Sequence, residues 1–348
     1  MKIINIIALA SLIIFESSAA NEAIDTIVSE AVNKGEFNGS VLVAKGSSVI
    51  YRKAYGYADG SKTEKLTLQH RFNIGSISKE FPAVALDILL KTHRLSIEQP
   101  ISDFIDNLPI WANSIQLKHL VNYSSGLPDF PWSVGVTNED AIQSLKKVTK
   151  LKHPPGEGYH YSYYNNFLLA LMIEKVSKKA FEQYFYETIF SPVKMIHTEN
   201  TLNIPQSSLP TAKTFDSDGK EDDYQVAITG PSIYTNVDDL FKWVLSIENN
   251  QLIDIKSLAL ITKPLSFETN SHGFTLQQSA FGSLKYQGKE VAAIFHDCSH
   301  LNFHSILYFD KVNKIVVLIL SNNKSDSKTF SIGNRIISLL DNAVDDKS

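Results

Sequence analysis

The sequence predicts an α+β fold: one antiparallel sheet assembled from both ends of the chain, flanked by N- and C-terminal helices, with a mostly helical region inserted between them. Three observations carry this. Apolar residues recur at helical spacing from Asn21 to Val32 and then give way to a period-two hairpin. Strand periodicity returns only from about Ser271, and the intervening stretch is dominated by helix-period apolar spacing. With 348 residues, 43% of them hydrophobic, the chain suffices for one large domain or two packed subdomains. The expected division is an α/β part at about 21–75 plus 225–348 and a mainly helical part at about 76–224.

Taken in order, Met1 to about Ala20 carries Lys2, an apolar run from Ile3 to Phe15, and then Ser17, Ser18, Ala19 and Ala20. It is too short to span a bilayer and ends in small residues, which reads as a secretory signal peptide. The mature chain is therefore expected to be periplasmic or secreted, with no stable membrane insertion once that segment is removed. Ala23, Ile24, Ile27, Val28, Ala31 and Val32 then make one helical face that Gly35 can end. Gly39–Ala44 and Val49–Tyr57 are strand-like, joined by the hairpin signature Lys45-Gly46-Ser47-Ser48.

The stretch Arg71–Phe81 opens the next helix, whose buried face is Val84, Ala85, Ile88 and Leu89. Ser76 and Lys79, three positions apart in its first turn, share a face, so the lysine can reach the serine hydroxyl. The helix N-terminus favours negative charge on that oxygen. This is one way to activate a serine nucleophile without a neighbouring histidine. The plainer alternative is that Ser76 or Ser78 caps the helix while Lys79 stands in solvent.

Further on, helical spacing stops in the Gly/Pro turn within His119–Asp129. Pro154-Pro155-Gly156 then leads into Tyr159-His160-Tyr161-Ser162-Tyr163-Tyr164-Asn165-Asn166, before an apolar helix from Phe167 to Val176. A tyrosine clamped there serves either as core, with its hydroxyl bonded, or as a base. Thr235 or Asn236 can cap a helix with Asp238 and Asp239 in its first turn. Gly273–Gln278, Val291–Asp297, Ser305–Asp310 and Ile315–Ser321 read as strands, and Ser327–Leu340 as the closing helix.

The formal charge of −4, with no basic block, argues against nucleic-acid binding. Lys2 and Glu16 cancel, so losing the leader leaves that balance unchanged. Cys298 is the only cysteine, which excludes an internal disulfide. His296, Cys298, His300 and His304 have even spacing and on one regular strand would share a face of soft ligands. Alternate strand residues lie roughly 6.6 Å apart, too far for four of them to close a tetrahedron. A metal is not expected there.

With these pieces in order, the chain resembles the serine β-lactamase-like family of class C β-lactamases, D-alanyl-D-alanine carboxypeptidases and related esterases. The likeness runs through Gly39–Ala44, Ala54–Asp59, Phe72–Lys79, Leu95–Ile101, His119–Asp129, Tyr161–Val176, Ile189–Met195 and Tyr234–Trp243. It implies that Ser76 is acylated, that Lys79 accepts its proton or supports it electrostatically, and that Tyr161 shuttles protons to the leaving group. His296 would be the basic residue of the third motif, tuning that phenol. Backbone N–H groups at Ser76 and on the adjoining strand would hold the oxyanion. The resemblance implies no metal or organic cofactor.

Two departures bear on substrate. Tyr163 stands where the family's Tyr-Ser-Asn motif has asparagine, and a phenol cannot reproduce an amide's paired donor and acceptor. Asn165 and Asn166 are alternative sources of that amide. In the third motif, usually a basic residue, a hydroxyl residue and then glycine, this chain has His296-Asp297-Cys298 followed by Ser299. An acid replaces the hydroxyl, and a side chain replaces the glycine that lets substrate approach. Tyr163, Asp297, Cys298 and Ser299 are thus the expected substrate-binding positions, and they disfavour ordinary β-lactam or D-alanyl peptide recognition more than acylation itself. The expected function is an exported serine hydrolase acting on a small amide or ester. A catalytically silent binding or regulatory protein of the same fold is the alternative.

Overall fold

The computed structural model describes residues 19–345, apart from 94, 204, 206, 223–225 and 325–327. The expected signal segment lies outside the described residues except for its last two, which begin the first helix. That helix, α1 at 19–33, ends where the Gly35 N–H bonds the Val32 carbonyl at 3.0 Å, with Gly35 at φ +72°. Strands β1 (Gly39–Lys45) and β2 (Ser48–Tyr55) form the expected hairpin, turning at Gly46 with φ +57°.

The main sheet has six strands in the order β2-β1-β9-β8-β7-β6, every pairing antiparallel. Its C-terminal members are β6 (Ser283–Gln287), β7 (Glu290–His300), β8 (Phe303–Asp310) and β9 (Ile315–Ser321). The two ends of the chain meet where β1 pairs with β9, from Gly39 opposite Ser321 to Lys45 opposite Ile315. A Cβ on Gly39 would lie 2.0 Å from the Leu320 carbonyl oxygen, so only glycine permits this approach.

Every residue of β9 is buried, which explains its uninterrupted apolar run, since both faces of the strand are covered. Val317 and Ile319 join Val41 and Val43 beneath α1 and the closing helix α9 (Thr329–Asp345), with Ile24, Val28, Ile332 and Ile336. Leu318 and Leu320 face the larger core on the other side, with Leu42, Phe81 and Trp243.

That larger core collects α2 (Glu80–Thr92), α3 (Leu117–Val121), α4 (Asn138–Lys146), α5 (Tyr164–Ser177), α6 (Phe181–Phe185), α7 (Val237–Glu248) and α8 (Ile255–Ile261). Asn236 caps α7, its side chain accepting from the Asp239 N–H at 2.9 Å. A small sheet, β3 (Phe72–Asn73), β5 (Ile233–Thr235) and β4 (Glu199–Asn200), joins these helices to the turn that carries Ser76.

The strand expected at Gly273–Gln278 does not form. Asn270 accepts from the His272 and Phe274 N–H groups and Gly273 sits at φ +80°, so the segment turns and makes only isolated bridges. The edge strand is instead β6. Strand β7 runs three residues past the expected end at Asp297, and α9 is described from Thr329, the expected first residue Ser327 lying outside the described residues.

Candidate active site

The serine turn is built by its neighbours. Asn73 Oδ1 accepts from the Gly75 N–H at 2.8 Å, and Gly75, at φ +51°, swings the chain from β3 into a 3₁₀ turn at Gly75–Lys79 that continues into α2. Gly75 is pressed on β7: an added Cβ would lie 3.0 Å from Cys298 Sγ and 3.3 Å from the Ser299 carbonyl carbon. Neither Ser76 nor Ser78 caps the helix. Ser78 Oγ instead accepts from the Ile233 N–H at 2.9 Å, pinning the turn to β5.

Two donors converge on Ser76 Oγ. Lys79 Nζ and the Tyr161 hydroxyl each lie 2.8 Å from it. Lys79 is buried, with Nζ 5.3 Å from the Tyr161 ring centroid and 5.9 Å from that of Tyr163, close enough for its charge to act on both rings. Tyr161 is 39% exposed, so this cluster opens to solvent.

Tyr161 is held from behind. The His160 N–H bonds the Tyr123 carbonyl at 2.8 Å, and the Tyr123 ring lies 4.7 Å from that of Tyr161. Ser162 Oγ donates to the Pro128 carbonyl. Asn165 is consumed within this loop, accepting from Ser125 Oγ at 2.6 Å and donating to the Ser162 carbonyl at 2.9 Å. Asn166 donates to the Tyr123 hydroxyl at 3.4 Å. Both asparagines therefore support the loop, and Tyr163 occupies the wall of the cleft.

Tyr163 packs among Phe130 and Trp132, with ring centroids 5.2 and 4.7 Å away. Its hydroxyl is buried without a partner, over Gly230, where a Cβ would lie 2.2 Å from the oxygen. That burial raises the phenol's pKa well above its ordinary value. The resulting cleft, about 90 Å³, is lined by Ser76, Lys79, Trp132, Tyr163, Ser299 and His300 among others.

On the β7 side His296 and Cys298 turn into the fold, whereas Asp297 is partly exposed and Ser299 borders the cleft. His296 is buried with its Nδ1 2.8 Å from Glu80 Oε1, and Glu80 Oε2 accepts from Trp243 Nε1 at 2.7 Å. Trp243 in turn stacks on Phe81 with centroids 4.0 Å apart. Asp297 accepts from His304 Nε2 at 2.7 Å, and Ser299 Oγ accepts from Lys324 Nζ at 3.0 Å. Cys298 Sγ lies 2.7 Å from the Ile74 carbonyl oxygen, and burial pushes its thiol up to about 12. The turn at Leu301, φ +52°, sends the chain back so that His304 stands opposite Ser299 and bonds Asp297. His304 thus leaves the face shared by His296 and Cys298, and no group of three potential metal ligands occurs among the described residues.

Spacing does not single out Glu80 or Trp132 as site residues, and it offers His300 only as one of four soft-ligand candidates on a strand. Glu80 was visible as a carboxylate set directly against the apolar run Phe81–Ala85, and Trp132 as an aromatic three residues beyond the His119–Asp129 turn. His300 lines the cleft, and burial, then the Lys79 charge, brings its pKa down to about 4.

The family model described as Beta-lactamase matches residues 24–341. Among curated proteins, Protein flp of Staphylococcus aureus (strain MRSA252) is 27% identical over 330 residues, covering 88% of this chain and 64% of that protein. The chain therefore spans less than two thirds of the length of that relative. A penicillin binding protein from Bacillus halodurans superposes with TM-score 0.75 at 21% identity, covering 91% of this chain and 98% of that one. A class C beta-lactamase superposes with TM-score 0.76 at 19% identity, covering 93% and 97%. At such identities these two likenesses are likenesses of fold.

Proposed function

The chain belongs to the beta-lactamase family, and from that premise we propose that it is a serine hydrolase acting through an acyl-Ser76 intermediate on a small amide or ester. The observation that carries this is the convergence of Lys79 Nζ and the Tyr161 hydroxyl on Ser76 Oγ, each at 2.8 Å. In this reading Ser76 Oγ attacks the substrate carbonyl carbon and its proton passes into the Lys79–Tyr161 pair. The oxyanion is held by backbone N–H groups at Ser76 and on β7 near Ser299. Collapse breaks the scissile bond, Tyr161 returns the proton to the leaving group, and water then attacks the acyl carbon to free Ser76.

The wall formed by Tyr163 and Trp132 offers ring faces where an asparagine amide would pair with a substrate amide. This supports an ester, or an unusual D-amino-acid peptide, over a β-lactam. In the same reading residues 1–20 are removed on export, and 21–348 act as one catalytic domain in the periplasm or medium. The test is hydrolysis of a panel of nitrophenyl esters, a chromogenic cephalosporin and a D-alanyl-D-alanine peptide by the wild-type protein and by Ser76→Ala. Turnover of at least one substrate, abolished by the substitution, supports the reading. Equal turnover by both proteins overturns it.

A further inference from the structure

At the far end of β7 from the serine turn, α8 and the loop after it carry apolar side chains that project outward. Leu260 is 64% exposed, Phe267 54% and Leu276 59%. The Leu276 N–H bonds the Glu268 carbonyl at 2.8 Å, which sets Leu276 beside Phe267, and Phe267 packs edge-on to Tyr286 at 5.3 Å. Leu260 and Phe267 line a groove of about 680 Å³, rimmed by Lys256, Lys263 and Lys289. Among the described residues none of these three lysines forms an ion pair. One acid, Glu290, shares the rim.

We propose that this face rests on a lipid bilayer bearing anionic headgroups, with Leu260, Phe267 and Leu276 entering the acyl boundary and the three lysines meeting the headgroups. Two features together select that occupant. Leu260, Phe267 and Leu276 are each more than half exposed on one face, which suits contact with a deformable apolar layer. The three lysines, against Glu290 on the rim and the exposed Glu268 beside Phe267, leave this face net positive on a chain whose formal charge is −4, so the complement is an anionic surface.

The orientation has a consequence for access. Glu290 borders the groove and Ser299 the serine cleft, nine residues apart on β7, which is about 30 Å at ~3.3 Å per residue. A protein resting on this face holds its cleft away from the bilayer, toward substrates in the aqueous layer. The docking rests on groups outside the hydrolase site, so either reading can fail alone.

Flotation of the full chain with phosphatidylcholine vesicles, with and without phosphatidylglycerol, tests the proposal. Binding is expected only to the anionic vesicles and should weaken as salt rises. Replacing all three lysines, Lys256→Gln, Lys263→Gln and Lys289→Gln, should weaken it about tenfold or more. The pair Leu260→Ser with Phe267→Ser should abolish it, while both variants keep the wild-type melting temperature and Ser76 labelling. Absence of binding by the wild-type chain, equal binding by all three proteins, or a wild-type dimer that the apolar pair dissociates would each overturn the proposal.

Discussion

The two walls of the cleft treat their polar side chains in opposite ways. On the helix and loop wall, Lys79 and Tyr161 spend their hydrogen bonds on Ser76. On the strand wall, His296, Asp297, Cys298 and Ser299 engage Glu80, His304, the Ile74 carbonyl and Lys324. The first wall converges on one oxygen. The second ties β7 to its surroundings, with Cys298 against the Gly75 turn, His296 on Glu80, Asp297 on His304 and Ser299 on Lys324.

The largest expected effect breaks the first wall. Ser76→Ala should lower hydrolysis at least a thousandfold, with circular dichroism unchanged. Lys79→Met and Tyr161→Phe should each cost roughly a hundred- to ten-thousandfold in kcat/KM, read with the best substrate of the panel. A loss below tenfold for both would mean that the two hydrogen bonds are incidental.

Breaking the second wall should register in stability. Glu80→Ala leaves the His296 ring and the Trp243 indole without their acceptor in a buried site, at a cost of about 3 kcal/mol in chemical denaturation. Little change in the denaturation midpoint would show that the Glu80 contacts are dispensable. The smallest change is Tyr163→Phe, which removes a buried hydroxyl that has no partner and should stabilise the fold by about 1 kcal/mol. Destabilisation instead would reveal a bound water or ligand at that oxygen.

Stability should also depend on pH through two histidines, His119 in α3 and His300 at the cleft. Burial lowers the pKa values of His119 and His300 to about 4, with Lys118 and Lys79 respectively adding to the effect. Both rings are thus neutral in the fold but charge near pH 6.5 when unfolded. The unfolded state then binds more protons, so stability should fall as pH drops from about 6.5 to about 4. His119 is tied to its neutral form because its Nδ1 accepts from the Gln116 N–H at 3.1 Å. His119→Gln should flatten part of that slope, measured by thermal denaturation across the window.

What the sequence disclosed follows the range of the interactions. The β1–β2 hairpin, the β9 run and the Ser76–Lys79 turn are written in local periodicity and turn residues, and each formed near its expected place. The stretch 273–278 misled because alternating apolar residues mimic a strand, while the side chain of Asn270, just upstream, folds it into a turn. At the site, the loop between Gly156 and Phe167 showed only that a tyrosine there is core or base, and the family resemblance was needed to single out Tyr161 and Tyr163. The Glu80–His296 pairing was not, because it joins residues 216 positions apart and only the packing of α2 on β7 brings them together. Nor did spacing show that Asn165 and Asn166 face inward, since that depends on Ser125 and Tyr123 from another turn.

The central claim is that Ser76 is an accessible nucleophile activated by Lys79 and Tyr161. Incubation of the intact protein with a fluorophosphonate or a fluorescent penicillin, followed by peptide mapping, tests it most directly. One adduct is expected, on Ser76, absent from Ser76→Ala and slowed in Lys79→Met. An adduct on another residue, or no adduct from either reagent on a folded protein, would contradict it and leave the silent binding protein as the better reading.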